Sequence, residues 1–262
     1  MILIAESKTM APEAPVASAD YLCHQPRLNA GADRIMATLG SLSDADLAKA
    51  TGLTPGLLAS LRSMIFEFPD KSRGLKAIEA FTGVVFKQLH PGRYDSAAKQ
   101  RLDTEVRIIS SVYGLLRPSD IVKTYRLDFK SRPAPGAPNM MSHWKSQVTD
   151  LLIADLDESG CDEIIDLMPA DAARCVDWKR VEKRARVWRV DFKVVTPEGT
   201  LRTPDAGRLK RLRGQLLDLA VARGAMTAAE LRDLEGPDFA PACLYGSTAT
   251  QSPEGVIAFV TA

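Results

Sequence analysis

Arg186 to Gly224 reads RVWRVDFKVVTPEGTLRTPDAGRLKRLRGQLLDLAVARG, and the hydrophobic period changes once within it. From Arg186 to Val195, Trp188, Val190, Phe192 and Val194 fall on alternate positions, the spacing of a strand. Pro197-Glu198-Gly199 then supplies turn chemistry, which predicts a hairpin. From Asp205 to Arg223, Leu209, Leu212, Leu216 and Leu219 recur three or four apart, the stripe of an amphipathic helix that ends with Gly224 at C′. Downstream, Thr227 and Glu230 form a capping box, and Val256 to Val260 reads as a strand. Upstream, Glu163 to Leu167 is a strand, and Ser142 caps a helix carrying Trp144, Val148 and Leu151. Residues 95–111 read as one helix with Leu102, Val106 and Ile109 on a face. Further helices are expected over 28–39, 44–50, 55–65 and 73–81, the second N-capped by Ser43 before Asp44 and Asp46. Residues 11–27, with Pro12, Pro15 and Pro26, read as an extended loop, and Met1 to Ala5 as a buried strand closed by Glu6. Interleaved strands and helices predict an α/β (mixed α+β) fold: a single compact domain over 1–262, its mixed sheet flanked by helices. The stiff RPAPGAPN run, Arg132 to Asn139, marks a possible internal boundary at 131–139.

The chain has 262 residues, 45% of them hydrophobic and 26% charged, which excludes disorder as its main state. Lys and Arg total 34 against 33 Asp and Glu, so a globally basic, histone-like protein is excluded. No apolar run approaches the roughly 20 residues that span a bilayer, so no membrane association is expected. The opening MILIAESKTM has no basic segment and too short an apolar run for a signal peptide. Cysteines at 23, 161, 175 and 243 form no CxxC pair or even lattice, which argues against a zinc ribbon or a disulfide framework. Free thiols in a reducing cytoplasm are expected instead. The Cys23-His24 pair invites a metal reading, but His90 and His143 have no ligand-type neighbours at helical spacing. No metal site is therefore expected. No GxGxxG, GxxxxGK[ST], GxSxG or HExxH occurs, leaving nucleotide-fold, serine-hydrolase and zinc-protease chemistry without a motif, and no cofactor is expected.

Charge is unevenly distributed. Arg174 to Arg213 contains 13 Lys/Arg and 5 Asp/Glu. Within it, Arg208, Lys210, Arg211 and Arg213 crowd the start of a helix, where cations oppose the macrodipole. Such placement points to an anion as readily as to a solvated face. A second concentration is VYGLLRPSD, Val112 to Asp120, followed by Lys123, Tyr125 and Arg126. Its two Tyr and two Arg either line a polar pocket or stack to support a loop. A third is LAKATGLTPGLL, Leu47 to Leu58, helix–turn–helix in pattern. It resembles a helix-hairpin-helix, whose turn amides meet phosphate without reading sequence, although Thr54 stands where the second hairpin glycine usually lies. An ordinary αα-corner fits the same residues.

These stretches together resemble the YaaA family of peroxide stress proteins. The opening MILIAESKTM is similar to the family's first strand and its Ala-Lys-Thr segment, placing Lys8 and Thr9. Phe81 to Leu89 resembles its Phe-x-Gly-x-Val-Tyr block. Ser111 to Asp120 and Tyr125-Arg126-Leu127-Asp128 resemble its longest and most specific block, Gly-Leu-Tyr-Gly-Val-Leu-Arg-Pro-Leu-Asp with Pro-Tyr-Arg-Leu-Glu. Asp177 to Lys183 and Lys210 to Gly214 complete the likeness. The chain departs where the family's Asn-Leu-Ala-Ser-x-Glu-Tyr becomes Asp166 to Ala172, at Thr124 for Pro, and at Thr203 to Gly207. The resemblance implies a compact α/β fold with a basic cleft and a helix-hairpin-helix, in a cytoplasmic protein that limits iron-dependent damage during peroxide stress. It also implies DNA binding, with no settled catalytic activity.

Two functional readings follow. In the first, the protein binds DNA through phosphate without sequence preference, using Gly52, Thr54, Gly56, Lys179, Arg180, Lys183, Arg184, Arg208 and Arg211. In the second, it is an enzyme acting on a small anionic or nucleotide-like substrate. Its pocket would gather Lys8, Thr9, Tyr113, Arg117, Tyr125, Arg126, Lys210 and Arg213, with Lys8 and Tyr113 the catalytic candidates. Within the block that best matches the family, Arg126 is expected to face the cleft, while Arg117 is equally a brace. Direct iron sequestration has little support, because iron sites want clustered His and carboxylates.

Overall fold

In the computed structural model, which describes residues 1–16, 24–196, 198–242 and 254–261, the opening strand lies at the centre of the principal sheet. β1 (Ile2–Ala5) is ILIA and buried throughout, because it pairs in parallel with β4 (Val106–Ser110) on one side and β7 (Glu163–Asp166) on the other. Parallel strands covered on both faces read as continuous apolar runs, and β1 does so. β7 pairs in parallel with β8 (Arg186–Val195), and β8 with β11 (Val256–Thr261). Short antiparallel strands border this core: β5 (Gly114–Leu116) on β4, β9 (Leu201–Arg202) on β8 and β10 (Ala240–Pro241) on β11. The strand order across the sheet, β10-β11-β8-β7-β1-β4-β5, therefore reverses at β1. Counting only the parallel strands, it is the doubly wound order 2-1-3-4-5. A smaller antiparallel sheet joins β2 (Ala14–Pro15), β3 (Arg73–Lys76) and β6 (Ile121–Val122).

Ten helices are described: α1 (Asn29–Gly40), α2 (Asp44–Thr51), α3 (Pro55–Glu67), α4 (Ala77–Ala80), α5 (Ser96–Glu105), α6 (Met140–Ser159), α7 (Ala170–Ala173), α8 (Trp178–Val181), α9 (Ala206–Arg223) and α10 (Ala228–Leu231). Trp144 on α6 is fully buried, and its indole donates to the Ser111 carbonyl at 2.8 Å. It fits because Gly31 and Gly114 have no side chains; a Cβ on Gly31 would lie 2.7 Å from the ring. Gly114 also has φ +71°, a conformation glycine adopts without strain. Arg107 breaks the apolar run of β4 and is buried, but its Nε donates to Asp155 at 2.6 Å, and Asp155 also pairs with Arg27.

The β8–β9 hairpin, α9 with Gly224 at φ +74°, the Thr227–Glu230 box and β11 follow the periodicity closely. Pro197 of the hairpin turn lies outside the described residues, as do Cys23 and Cys243. Three expectations need correction. Residues 73–81 are not one helix: β3 and then the short α4 occupy them, because Arg73–Lys76 finds strand partners in β2 and β6. Residues 95–111 divide at Val106, where β-branched Val106, Ile108 and Ile109 pair with β1 rather than continue α5. The α6 cap is Asn139, whose side chain accepts from the Ser142 amide at 3.0 Å, so Ser142 lies inside the first turn. Within the expected loop over 11–27, Ala14–Pro15 forms β2. No described helix is long and apolar enough to cross a membrane.

Candidate functional site

In a doubly wound sheet, ligands gather beyond the carboxyl ends of the strands, where the order reverses. Here that crevice lies between β1 and β7, and an acidic residue stands at the end of each strand. Glu6 directly follows β1 and accepts from the Ser111 amide at 2.9 Å and from the Tyr125 hydroxyl. Tyr125 also shares a 2.7 Å hydrogen bond with Ser110. Burial pushes the Glu6 carboxyl up from 4.5 to about 7, more than these donors lower it. Asp166 ends β7, is buried, and accepts from the Met168 amide at 2.9 Å. Burial raises its pKa too, against the attraction of Arg189 and Arg213.

Two cavities flank this crevice. The first, about 490 Å³, lies between the α2–α3 turn and the segment 126–132. Lys8, Lys49, Arg126, Lys130 and Arg132 line it with one carboxylate, Asp128. Lys8 and Asp128 form an ion pair, while Arg126 donates to the Lys8 carbonyl at 2.6 Å, so the loop after β1 is clamped to this wall. Gly52 ends α2 at φ +68°, and Thr54 and Pro55 start α3. A Cβ on Gly52, which lines this cavity, would meet nothing within 4 Å, and neither would one on Gly56 in the first turn of α3.

The second cavity, about 530 Å³, contains Asp166 on its wall with Lys145, Arg174, Arg189 and Arg213. Trp178, Met168, Val176 and Val190 give it an apolar side. Lys130 from the first cavity and Asp171, beside Ala170 of the second, approach to 3.5 Å, so the two share a rim.

The residues expected to form one anion pocket are thus divided. Lys8 and Arg126 line the first cavity and Arg213 the second. Thr9 and Lys210 are exposed. Tyr113 and Tyr125 cannot line a ligand pocket: they are 1% and 3% exposed, packed against each other in the aromatic core. Burial raises both phenols well above the usual range, and the Tyr113 oxygen accepts from the Lys123 amide at 3.0 Å. Tyr113 therefore has neither the access nor the acidity of a catalytic group. Arg117 acts on its neighbour: its backbone amide donates to Asp120 at 2.8 Å, and its charge lowers an Asp120 pKa that burial pushes up to about 6.

The cationic stretch after Arg174 also divides. Arg180 pairs with Asp150 at 2.7 Å, and Arg211 lies 3.3 Å from Asp238. Arg184 pairs with Asp157 and donates to the Leu156 and Cys161 carbonyls at the end of α6, a helix-capping role. Arg208 donates to the Thr261 hydroxyl at 2.6 Å. Lys179 and Lys183 are exposed. Among the described residues no group of three His, Cys, Asp or Glu could hold a metal ion. Buried Cys175, whose thiol burial pushes up to about 12, is unsuited to react with peroxide as a thiolate. Sequence reasoning passed over Asp166 as a site residue; the signal available was an acidic residue ending the apolar strand run EIID.

Comparison with known proteins agrees with the blocks read in the sequence. Residues 1–242 match the family described as Peroxide stress protein YaaA. A UPF0246 protein of Parabacteroides distasonis is 32% identical over 197 residues, 74% of this chain and 76% of its own length. One from Rhizorhabdus wittichii is 32% identical over 195 residues, covering 71% and 76%. One from Laribacter hongkongensis is 27% identical over 254 residues, covering 95% and 97%. With the match spanning nearly the whole chain, this protein belongs to the YaaA family of peroxide stress proteins.

Proposed function

We propose that this protein serves peroxide stress at nucleic acid, binding duplex DNA through backbone phosphates and so limiting iron-dependent damage there. The observation that carries the reading is the first cavity. An open glycine turn and the N-terminal end of α3 face the same space as Lys8, Lys49, Arg126, Lys130 and Arg132. Turn amides, a helix N-terminus and flexible cations suit a phosphate backbone and carry no base readout, which makes the contact sequence-independent. The turn is then a helix-hairpin-helix in function, Gly52 supplying the left-handed residue and Pro55 starting the second helix. Lys179, Lys183 and Lys210, exposed elsewhere, are candidates for outer phosphate contacts.

Fluorescence anisotropy with a short labelled duplex at two salt concentrations tests this. Affinity should fall steeply with salt, each phosphate contact contributing about 0.9 to the logarithmic slope. Gly56→Asp is the sharpest variant: its side chain enters open space, and an acidic residue suits a helix's first turn. It should keep the fold and lose the duplex. No binding by the wild type at low salt refutes the reading. The alternative, an enzyme with Lys8 and Tyr113 in one pocket, loses its support with Tyr113 in the core.

A further inference from the structure

We propose that the second cavity is a separate site for a single nucleotide unit, with the phosphate on Arg213 and the base against Trp178. The proposal does not require the first cavity to bind a duplex.

The observation behind it is a set of cations left without carboxylates. The two fully buried cations among the described residues are neutralised, Arg107 by Asp155, which also pairs with Arg27, and Lys123 by Glu13. Arg213 is half-buried, yet among the described residues it makes neither a hydrogen bond nor an ion pair, and its Nε is shut off from solvent without an acceptor. Asp166 and Asp191 attract it, but burial still lowers its pKa. A buried donor without a partner is costly unless a ligand completes it. The Arg174 and Lys145 side chains line the same space and likewise have no acidic partner among the described residues.

Three features narrow the ligand. Arg213, Arg174 and Lys145 have no ion pair among the described residues, and Arg189 lies 3.9 Å from Glu182; against the one lining carboxylate, Asp166, this excess of cations matches a phosphate monoester better than a single carboxylate. Trp178, Met168, Val176 and Val190 make an apolar wall, and the Arg189 guanidinium lies over the Trp178 ring, 5.5 Å from its centroid, adding a planar group for a base to meet. A volume of about 530 Å³ takes one nucleotide, and Asp166 supplies an acceptor for a ribose hydroxyl or a base amino group. The position, beyond the end of β7 beside the reversal of strand order, is where such folds hold nucleotides. A free nucleotide and one turned out of a strand lying across the shared rim present the same chemistry.

Titration calorimetry with adenosine 5′-monophosphate, adenosine and inorganic phosphate tests the assignment. The monophosphate should bind at least tenfold more tightly than either fragment. Arg213→Met should cost at least tenfold, and Trp178→Leu should weaken the monophosphate while sparing phosphate. If Arg213→Met does not fold, Arg174→Met, at an exposed position, replaces it with an expected loss of threefold or more. A duplex carrying 2-aminopurine opposite an abasic site reports the other source: brightening on binding, lost in Arg213→Met, identifies an extruded nucleotide. Gly56→Asp, which abolishes duplex binding under the reading above, should leave the monophosphate affinity unchanged. Equal affinity for phosphate and monophosphate overturns the nucleotide assignment. So does a failure of both the free and the duplex-borne nucleotide to respond to Arg213.

Discussion

Replacing Glu6 with Gln should make the protein more stable at pH 8 and leave it nearly unchanged at pH 5. Glu6 sits at the end of β1 with the Ser111 amide and the Tyr125 hydroxyl as donors, and a glutamine oxygen can accept from both. The difference lies in ionisation. Burial holds the folded carboxyl at about 7 against 4.5 in the open chain, so between those values the folded state binds more protons than the unfolded one. Stability from this group is therefore complete below pH 4.5 and is lost as pH rises through about 7. The interval, at about 1.4 kcal/mol per pH unit, amounts to about 3 kcal/mol at full ionisation. Urea denaturation of wild type and Glu6→Gln at pH 5 and pH 8 reads it directly. Asp120 and Asp166, whose pKa values are raised by burial as well, titrate in both proteins and cancel in the comparison. A stability difference that does not change with pH would refute the buried-acid account of Glu6.

Three further outcomes are expected. Asp155→Asn should destabilise the fold by about 3–5 kcal/mol in urea denaturation, because it strips buried Arg107 and nearby Arg27 of their shared carboxylate. Tyr113→Phe should lower stability by about 1–3 kcal/mol, by leaving the buried Lys123 amide without its acceptor. Duplex and nucleotide affinities of the folded variant should stay unchanged, and a selective loss of binding would restore Tyr113 to a site. Arg126→Met keeps the apolar stem and removes one bond to the Lys8 carbonyl, so stability should change by less than about 1 kcal/mol. Its duplex affinity and salt slope should both drop in anisotropy; unchanged binding would place Arg126 outside the phosphate track.

What the sequence made legible was local. The alternation of β8, the leucine stripe of α9 and the Thr227–Glu230 box each depend on neighbours within a few positions, and all appear as read. The α5–β4 border was not legible because Leu102, Val106 and Ile109 fit a helix face as well as Val106–Ser110 fits a strand; only β1 decides between them. β3 is four residues, RGLK, with no pattern apart from its partners. Tyr113 and Tyr125 were misplaced for a related reason. A tyrosine has a polar tip that an open cleft or an internal acceptor can satisfy, and here Lys123, Ser110 and Glu6 satisfy both from within. Charge composition located the cationic stretch, but its carboxylate partners, Asp150, Asp157 and Asp238, come from α6 and the segment after α10.

The same distinction applies to the segment that separates the two cavities. Because the strand order reverses at β1, the loops leaving β1 and β7 separate and open a crevice between them. Lys8 leaves from the first loop and Asp171 from the second, and each pairs with the segment 126–132, through Asp128 and Lys130. That segment is also tied to α2, the Arg132 amide donating to the Ala50 carbonyl at 2.8 Å. It therefore forms the partition between the turn-lined cavity and the one beyond β7. A ligand phosphate drawing Lys130 from Asp171 would break the pair that closes the shared rim. Since both residues are largely exposed, that pair is worth at most about 1 kcal/mol, a cost a single phosphate contact can offset. The partition thus rests on strand order and two ion pairs, neither of which has a signature in a local run of sequence.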